Sequence, residues 1–489
     1  MKTLGTMLVG LFLVFLAQSA VAAEYNNHAG DSRSSDQNAA DSDAAVNTGS
    51  TWPPENPDPD AIVIAPNGND NNPCSVDSPC ESLERARQVA RNAMSKKIYL
   101  RAGTYSRSSS LELDESDDGE TWMTYPEDPV DSAVLDGGGT TDGLIVTRGT
   151  SDLSIIGLTL QNVRAAAFMG SWWGGTRNLT IKWCDIGNNH DNNSVFDFGG
   201  WTPLIALRGE NIKFLNNYVH DTQTMAIGAY AYEVDDTIDG LEISGNVVLR
   251  AVQSKSDGGS IYVNMHNTNT NGGHVTIANN FIRDQGGPSQ VEGIYLDDRS
   301  SNCTITGNII GPPRVGAITD ATRANVSAIY SNSVSYKNSS YATSTGWNTI
   351  TGNIIDLGDS ARVSVGMLWG TDNVFTNNIV VSNFSGNRQT QPQDCGIGYS
   401  YSGDSNHGSV CTIENNLYYN YGGGEVQPTS CHIAEDSNPT VDDPGLSGDT
   451  YQLATDSPAF AAPVNFPGIV GGWGPPGFQI PASTNHSQP

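Results

Sequence analysis

Asp257-Gly258-Gly259-Ser260-Ile261-Tyr262-Val263-Asn264 and Glu292-Gly293-Ile294-Tyr295-Leu296-Asp297-Asp298 read as one short strand written twice. Each copy has glycine at its entry, then an apolar residue, a Tyr, an apolar residue and a polar one. Setting Ile261 on Ile294 gives an offset of 33 residues. Ala226-Ile227-Gly228-Ala229-Tyr230 lies 34 residues before the first copy, and Ala328-Ile329-Tyr330-Ser331-Asn332 lies 35 after the second. A period this steady over four copies signals a repeat architecture.

A second motif recurs from about Asp152: an apolar–polar–apolar triplet, then Asn or a near substitute, then apolar residues. Its anchors are Asp185, Asn217, Asn246, Asn280, Asn308, Asn353, Asn378 and Asn416. Fixed anchors at variable spacing mean that each turn keeps its strands and varies its loops. Short strands turned by Gly and Asn, with no intervening helices, exclude an α/β crossover design. The expected fold is all-β, a right-handed parallel β-helix with coils about 4.8 Å apart. Stacking then brings the anchor amides into register, where they bond to one another and hold the turns. Ser82 to Ala93 carries Leu83, Ala86, Val89, Ala90 and Ala93 at helical spacing, a short helix placed to cap the first coil.

The flanks set the domain boundaries. Residues 1–23 read as a secretory signal: Lys2, the apolar run Leu8 to Leu16, then Ala20-Val21-Ala22-Ala23. Residues 24–59, rich in Asn, Ser, Asp and Ala, are expected to be a disordered linker, and 60–489 the β-helix domain. Val464 to Pro489, rich in Gly and Pro, is expected to lie along the outside or to fray. The expectation is a secreted protein, extracellular or periplasmic, and a monomer. Of seven Cys, Cys74 and Cys80 form the expected disulfide bond. Cys395, Cys411 and Cys431 are candidates for a second, and Cys184 and Cys303 read as buried thiols. A net charge of −29 excludes nucleic acid and anionic membrane as partners. No CxxC pair or HExxH occurs, so no zinc site is expected, and the metal-ligand set is unknown.

Alternation puts Ile261, Val263, Ile294, Leu296 and Ile329 inside. Tyr262, Tyr295 and Tyr330 then stack in one exterior column, and Asn264, Asp297 and Asn332 in the next. Rings beside polar groups suit a sugar chain, and Trp172, Trp173, Trp201 and Trp369 are candidate groove walls. Hydrolysing a glycosidic bond needs one protonated and one ionised carboxyl group. The catalytic candidates are Asp257, Glu292, Asp297 and Asp298. Strict alternation places Asp257 and Glu292 inward, and a bend at the glycines would release them. The Cα atoms of Asp257 and Glu292 would lie roughly 8 Å apart, and Asp298 roughly 27 Å along a straight chain. Candidate substrate-binding residues are Tyr262, Asn264, His266, Tyr295, Arg299, Tyr330, His220 and Trp369.

At these residues the chain resembles pectate-lyase-like β-helix glycosidases, nearest to glycoside hydrolase family 141. Ala65-Pro66-Asn67-Gly68-Asn69-Asp70 through Ile98 to Tyr105 is similar to the N-terminal coil of that superfamily. The resemblance implies a plant or algal polysaccharide as substrate, with Asp257 and an Asp of the 297–298 pair as acid/base candidates. The leading expectation is a secreted glycoside hydrolase needing no cofactor. The first alternative is a polysaccharide lyase on a uronic-acid polymer, with Ca²⁺ or one of Lys255, Arg283, Arg299, Arg314 and Arg323 neutralising the uronate. The second is a non-catalytic polysaccharide-binding or adhesin solenoid. The fold alone does not choose among them.

Overall fold

The computed structural model describes residues 51–170, 175–190, 202–231, 238–265, 273–287, 290–314, 326–332, 346–360, 363–369, 372–386, 388–389, 394–396, 411–427 and 436–482. The signal segment and most of the expected linker lie outside these residues.

Short strands recur in a fixed cycle and pair in parallel, coil upon coil. They build three long sheets of twelve, eleven and twelve strands, a right-handed parallel β-helix as expected. The first sheet runs from Ile62–Ile64 to Cys411–Glu414. The interior is one continuous core of Ile, Leu, Val and Phe from all three sheets, including Ile64, Ile155, Phe214, Ile277 and Phe375.

The anchor amides form the predicted ladder. Each Nδ2 donates to the Oδ1 of the next coil: Asn217 to Asn246 at 3.0 Å, Asn280 to Asn308 at 2.9 Å, Asn353 to Asn378 at 3.0 Å. Each Oδ1 also accepts the backbone N–H of the Asn before it, as Asn280 Oδ1 does from Asn246 at 3.0 Å. All seven Asn are fully buried, so these bonds satisfy groups that would otherwise be costly in an apolar core. Asp436 terminates the ladder, taking the Asn416 amide at 2.8 Å. The residue before each ladder Asn is left-handed: Asn216, Gly245, Asn279, Gly307, Gly352, Asn377 and Asn415, with φ between 51° and 68°. Only Gly and Asn adopt that conformation cheaply, so the paired Gly/Asn–Asn signature is a turn requirement.

One anchor was misplaced. Cys184, not Asp185, occupies the ladder level, and its backbone N–H donates to Asn217 Oδ1 at 3.0 Å. Asp185 pairs in register with Tyr218 and turns outward to His220.

Helix α1 spans Leu83–Ala90, capped by Ser82, whose hydroxyl accepts from the Arg85 N–H at 3.1 Å. Leu83, Ala86 and Ala90 pack on the first coil and close the core at that end. It stops short of Ala93 because Asn92 and Ala93 tighten into bonds three residues back. Arg87 and Arg91 tie it to Asp114 and Asp117. Cys74 and Cys80 are bridged, and Cys184 and Cys303 are buried thiols that burial pushes up to about 12. Cys411 sits with its sulfur 3.6 Å from the Leu368 carbonyl oxygen. The side chains of Cys395 and Cys431 lie outside the described residues.

Both flanks pack. Trp52, within the expected linker, docks against Gly157 and Trp183 and donates to the Asp128 carbonyl at 2.8 Å. At the other end the segment from Val464 to Ile480 lies along the outside of the third sheet. Its Phe466, Trp473, Phe478 and Ile480 cover the outward face of Val247, Phe281, Ile309, Ile354 and Ile379.

Candidate active site

Four strands of the eleven-stranded sheet carry the repeated motif: β1 (Ile227–Tyr230), β2 (Gly258–Asn264), β3 (Val291–Asp297) and β4 (Val326–Asn332). Ile227, Ile261, Ile294 and Ile329 are register partners, and so are Tyr262, Tyr295 and Tyr330.

Strict alternation fails in the middle of these strands. Ala328 and Ile329 are consecutive, yet both belong to the interior core. Ser260 and Ile261 are likewise both fully buried, and a Cβ on Gly293 would meet Ile310 of the core. Two successive residues turning inward shift the parity of everything before them. Glu292 therefore joins Tyr295 and Asp297 on the outer side. Its register neighbours are Gly259 and Ser327, both small, which leaves room for a carboxyl group between coils. Gly259 is required here, because a Cβ would lie 2.9 Å from that of Tyr295.

Glu292 is 3% exposed, and its Oε2 has no hydrogen-bond partner among the described residues. Burial, then the Asp257 and Asp297 charges, raise it well above the ordinary glutamate range. Asp297 is half-buried and differently served. Its Oδ2 accepts from the Tyr262 hydroxyl at 2.7 Å, its Oδ1 from the Asn332 amide at 2.8 Å, and the Asp298 N–H adds a third donor. Burial and Asp298 still raise it, with these donors pulling the other way. Asn264 in turn donates to the Tyr262 oxygen at 2.9 Å.

Asp257 stands at the mouth of β2 with a left-handed φ of 61°. It is open to solvent on one side, but enough protein surrounds it that desolvation raises it, Asp298 adding and a bond from the Tyr295 hydroxyl subtracting. The Asp298 charge is thus felt at both Asp257 and Asp297, so the chain does not run on straight beyond β3. Tyr295 is raised well above the ordinary tyrosine range by burial and then by Asp297, Glu292 and Asp257. It stays a neutral donor among them.

The tyrosine column stands where expected but is not an open rack. Tyr230, Tyr262 and Tyr295 are buried, with centroids 5.5 and 5.2 Å apart, and only Tyr330 is half-exposed. Tyr262 and Tyr295 spend their hydroxyls on Asp297 and Asp257. Arg299 follows β3, half-buried, at φ 61°.

His220 is on another sheet, apart from this cluster. It bonds Asp221 at 2.6 Å and Asp185 at 2.9 Å and stacks on Tyr218. Arg283 is buried on that same sheet, donating to the Pro481 carbonyl at 2.7 Å, which removes it as a uronate-binding cation. Arg314 donates to Gln253 at 3.1 Å. His266, Arg323, Trp172, Trp173 and Trp201, with the side chain of Trp369, lie outside the described residues. Among the described residues no three His, Cys, Asp or Glu are grouped to hold a metal, and no helix is long and apolar enough to cross a membrane.

No family model matches the chain, and no curated protein does. Solved structures with a likeness include XylC in complex with xylose, 11% identical with a TM-score of 0.49, covering 80% of this chain and 88% of that one. The PL6 family alginate lyase AlyGC is 11% identical at 0.47, covering 84% of this chain and 56% of its own. PfbA, a surface adhesin of Streptococcus pneumoniae, is 13% identical at 0.45, covering 74% and 85%. The chain has a stacked parallel β-helix architecture, while the resemblance to glycoside hydrolase family 141 finds no matching family model.

Proposed function

We propose that this protein is a secreted glycoside hydrolase acting on a plant or algal polysaccharide, with Glu292 as general acid and Asp297 as its ionised partner. One observation carries the reading: two carboxyl groups on one strand, one buried with an oxygen that has no donor among the described residues and the other held by three. Environments that push two carboxyl groups apart assign acid and base. Glu292 keeps its proton and gives it to the leaving glycosidic oxygen. Asp297, whose three donors favour its anion against the opposing pull of burial and Asp298, faces the developing oxocarbenium charge as nucleophile or as base for water. Asp257 and Asp298 hold the cluster electronegative, and Asp257 is the reserve candidate for the second carboxylate. Hydrolysis on this plan needs no cofactor.

A second reading, β-elimination on a uronic-acid polymer with Ca²⁺ as neutraliser, is kept because the solved likenesses include alginate, rhamnogalacturonan and pectate lyases. A polysaccharide-binding role is the third, since an adhesin is also among them. Digestion of a panel of plant and algal polysaccharides, with and without Ca²⁺, separates the three. New reducing ends without the ultraviolet absorbance of an unsaturated uronate, lost in Glu292→Gln, support the hydrolase. Unsaturated products establish the lyase. Binding with no product, unchanged in the amide variants, establishes the binder.

A further inference from the structure

Asp297 is not held by its own strand. Its two side-chain donors come from the coils on either side: Tyr262 from β2 at 2.7 Å and Asn332 from β4 at 2.8 Å. Tyr262 is itself fixed, its oxygen accepting from Asn264 at 2.9 Å, two residues along β2. The three residues are 1%, 6% and 4% exposed for Asn264, Tyr262 and Asn332, so water does not compete for the bonds. The chain Asn264→Tyr262→Asp297←Asn332 thus spans three coils, with Tyr262 and Asn332 donating to one carboxylate and Asn264 to the Tyr262 oxygen. Among the described residues nothing comparable reaches Glu292.

We propose that Tyr262 and Asn332 are positioning residues that clamp Asp297 as the proton-free member of the pair, with Asn264 setting the direction of the Tyr262 hydroxyl. The inference rests on the Glu292–Asp297 assignment for its catalytic meaning, but the clamp itself is a physical claim about one carboxyl group. Donors to an anion favour the anion, so removing one raises the pH at which Asp297 takes up a proton. The Asn332 amide cannot turn over without aiming its carbonyl oxygen at a carboxylate, which fixes its sense.

The test has two arms. Carbon NMR titration of Asp297 in the wild type, Tyr262→Phe and Asn332→Ala reads the clamp without substrate. The expected result is an upward displacement of about one unit in each variant. The pH profile of kcat/KM is the second arm: the acidic limb moves to higher pH and the alkaline limb stays. Asn264→Ala shows the same displacement, smaller. Thermal melts confirm folding, and Asn332→Ser replaces Asn332→Ala if that variant fails to fold. An Asp297 titration unchanged in Tyr262→Phe and in the Asn332 variant overturns the clamp. A displaced titration in a protein that hydrolyses no glycan leaves the clamp standing and removes the function reading instead.

Discussion

Glu292 differs from Asp297 by what surrounds it, and that difference is measurable. Glu292 has a buried oxygen with no partner among the described residues, and burial, Asp257 and Asp297 all favour its protonated form. A general acid must be protonated, so activity is full below its raised pKa and is lost as pH rises through it. The partner must be ionised, so activity falls as pH drops through the Asp297 value. A bell-shaped kcat/KM profile with both limbs above the ordinary carboxylate range is expected, and Glu292→Gln should remove the alkaline limb and lower kcat by about 100-fold or more. At this scale the sequence was informative about the carboxylates and silent about their division of labour. Residue type names Asp257, Glu292, Asp297 and Asp298. The tyrosines and Asn332 become donors to them only when three coils separated by 33 and 35 residues are stacked.

Among the elements, the strands obey the sequence almost residue for residue. The offset that sets Ile261 on Ile294 is the observed register, and Ile227 and Ile329 fall in the same column. What alternation could not reveal is the double inward step at Ser260–Ile261 and Ala328–Ile329, because period-two reasoning assumes an unbroken pleat. That step puts Glu292 outside, and Gly259 makes room beside it. Gly259→Ala is expected to displace Tyr295 and abolish activity while leaving the far coils folded, checked by turnover beside a thermal melt. The Asn ladder was legible because its donors and acceptors repeat; Cys184 was missed because no amide marks that level. Asn280→Ala removes the acceptor of the Asn246 backbone N–H and of one Asn246 amide bond, and takes away a donor to the Ile243 carbonyl and to Asn308 Oδ1. The expected cost is on the order of 2 kcal/mol, read as a lowered melting temperature. His220 illustrates a different device. Burial opposes its charge, but Tyr218, Asp185 and Asp221 outweigh burial and hold it well above the ordinary histidine range. Arg250, bidentate on Asp221, completes the group. A histidine raised on folding contributes stability below its unfolded value of about 6.5 and loses that contribution as pH climbs through the folded value. The melting temperature should therefore fall from neutral into alkaline pH, and His220→Gln should flatten that fall.

Over the whole molecule, the C-terminal segment decides how the third sheet meets water. Gly/Pro-rich composition gives no periodicity, so its course was open in the sequence; its place follows from the apolar face it covers. Asn216 and Asn279, two coils apart, donate to the Gly472 and Gly471 carbonyls at 2.8 and 2.9 Å, and Arg283, on the Asn279 coil, donates to the Pro481 carbonyl. A chain truncated after Ala462 should expose Phe281, Ile309 and Ile354, bind an apolar dye and aggregate, whereas the full chain should not. The stacked coils, sealed at one end by α1 and along one side by this segment, make the rigid base on which one sheet presents four carboxyl groups. Whether that base performs hydrolysis is settled by the origin of the oxygen in its product. Degradation of a susceptible polysaccharide in water enriched in heavy oxygen, sampled before anomeric exchange, should place one solvent oxygen on the anomeric carbon of each new reducing end and none on the other new end. A product carrying no solvent oxygen, with a double bond in its place, would contradict the account and make this β-helix an eliminating enzyme.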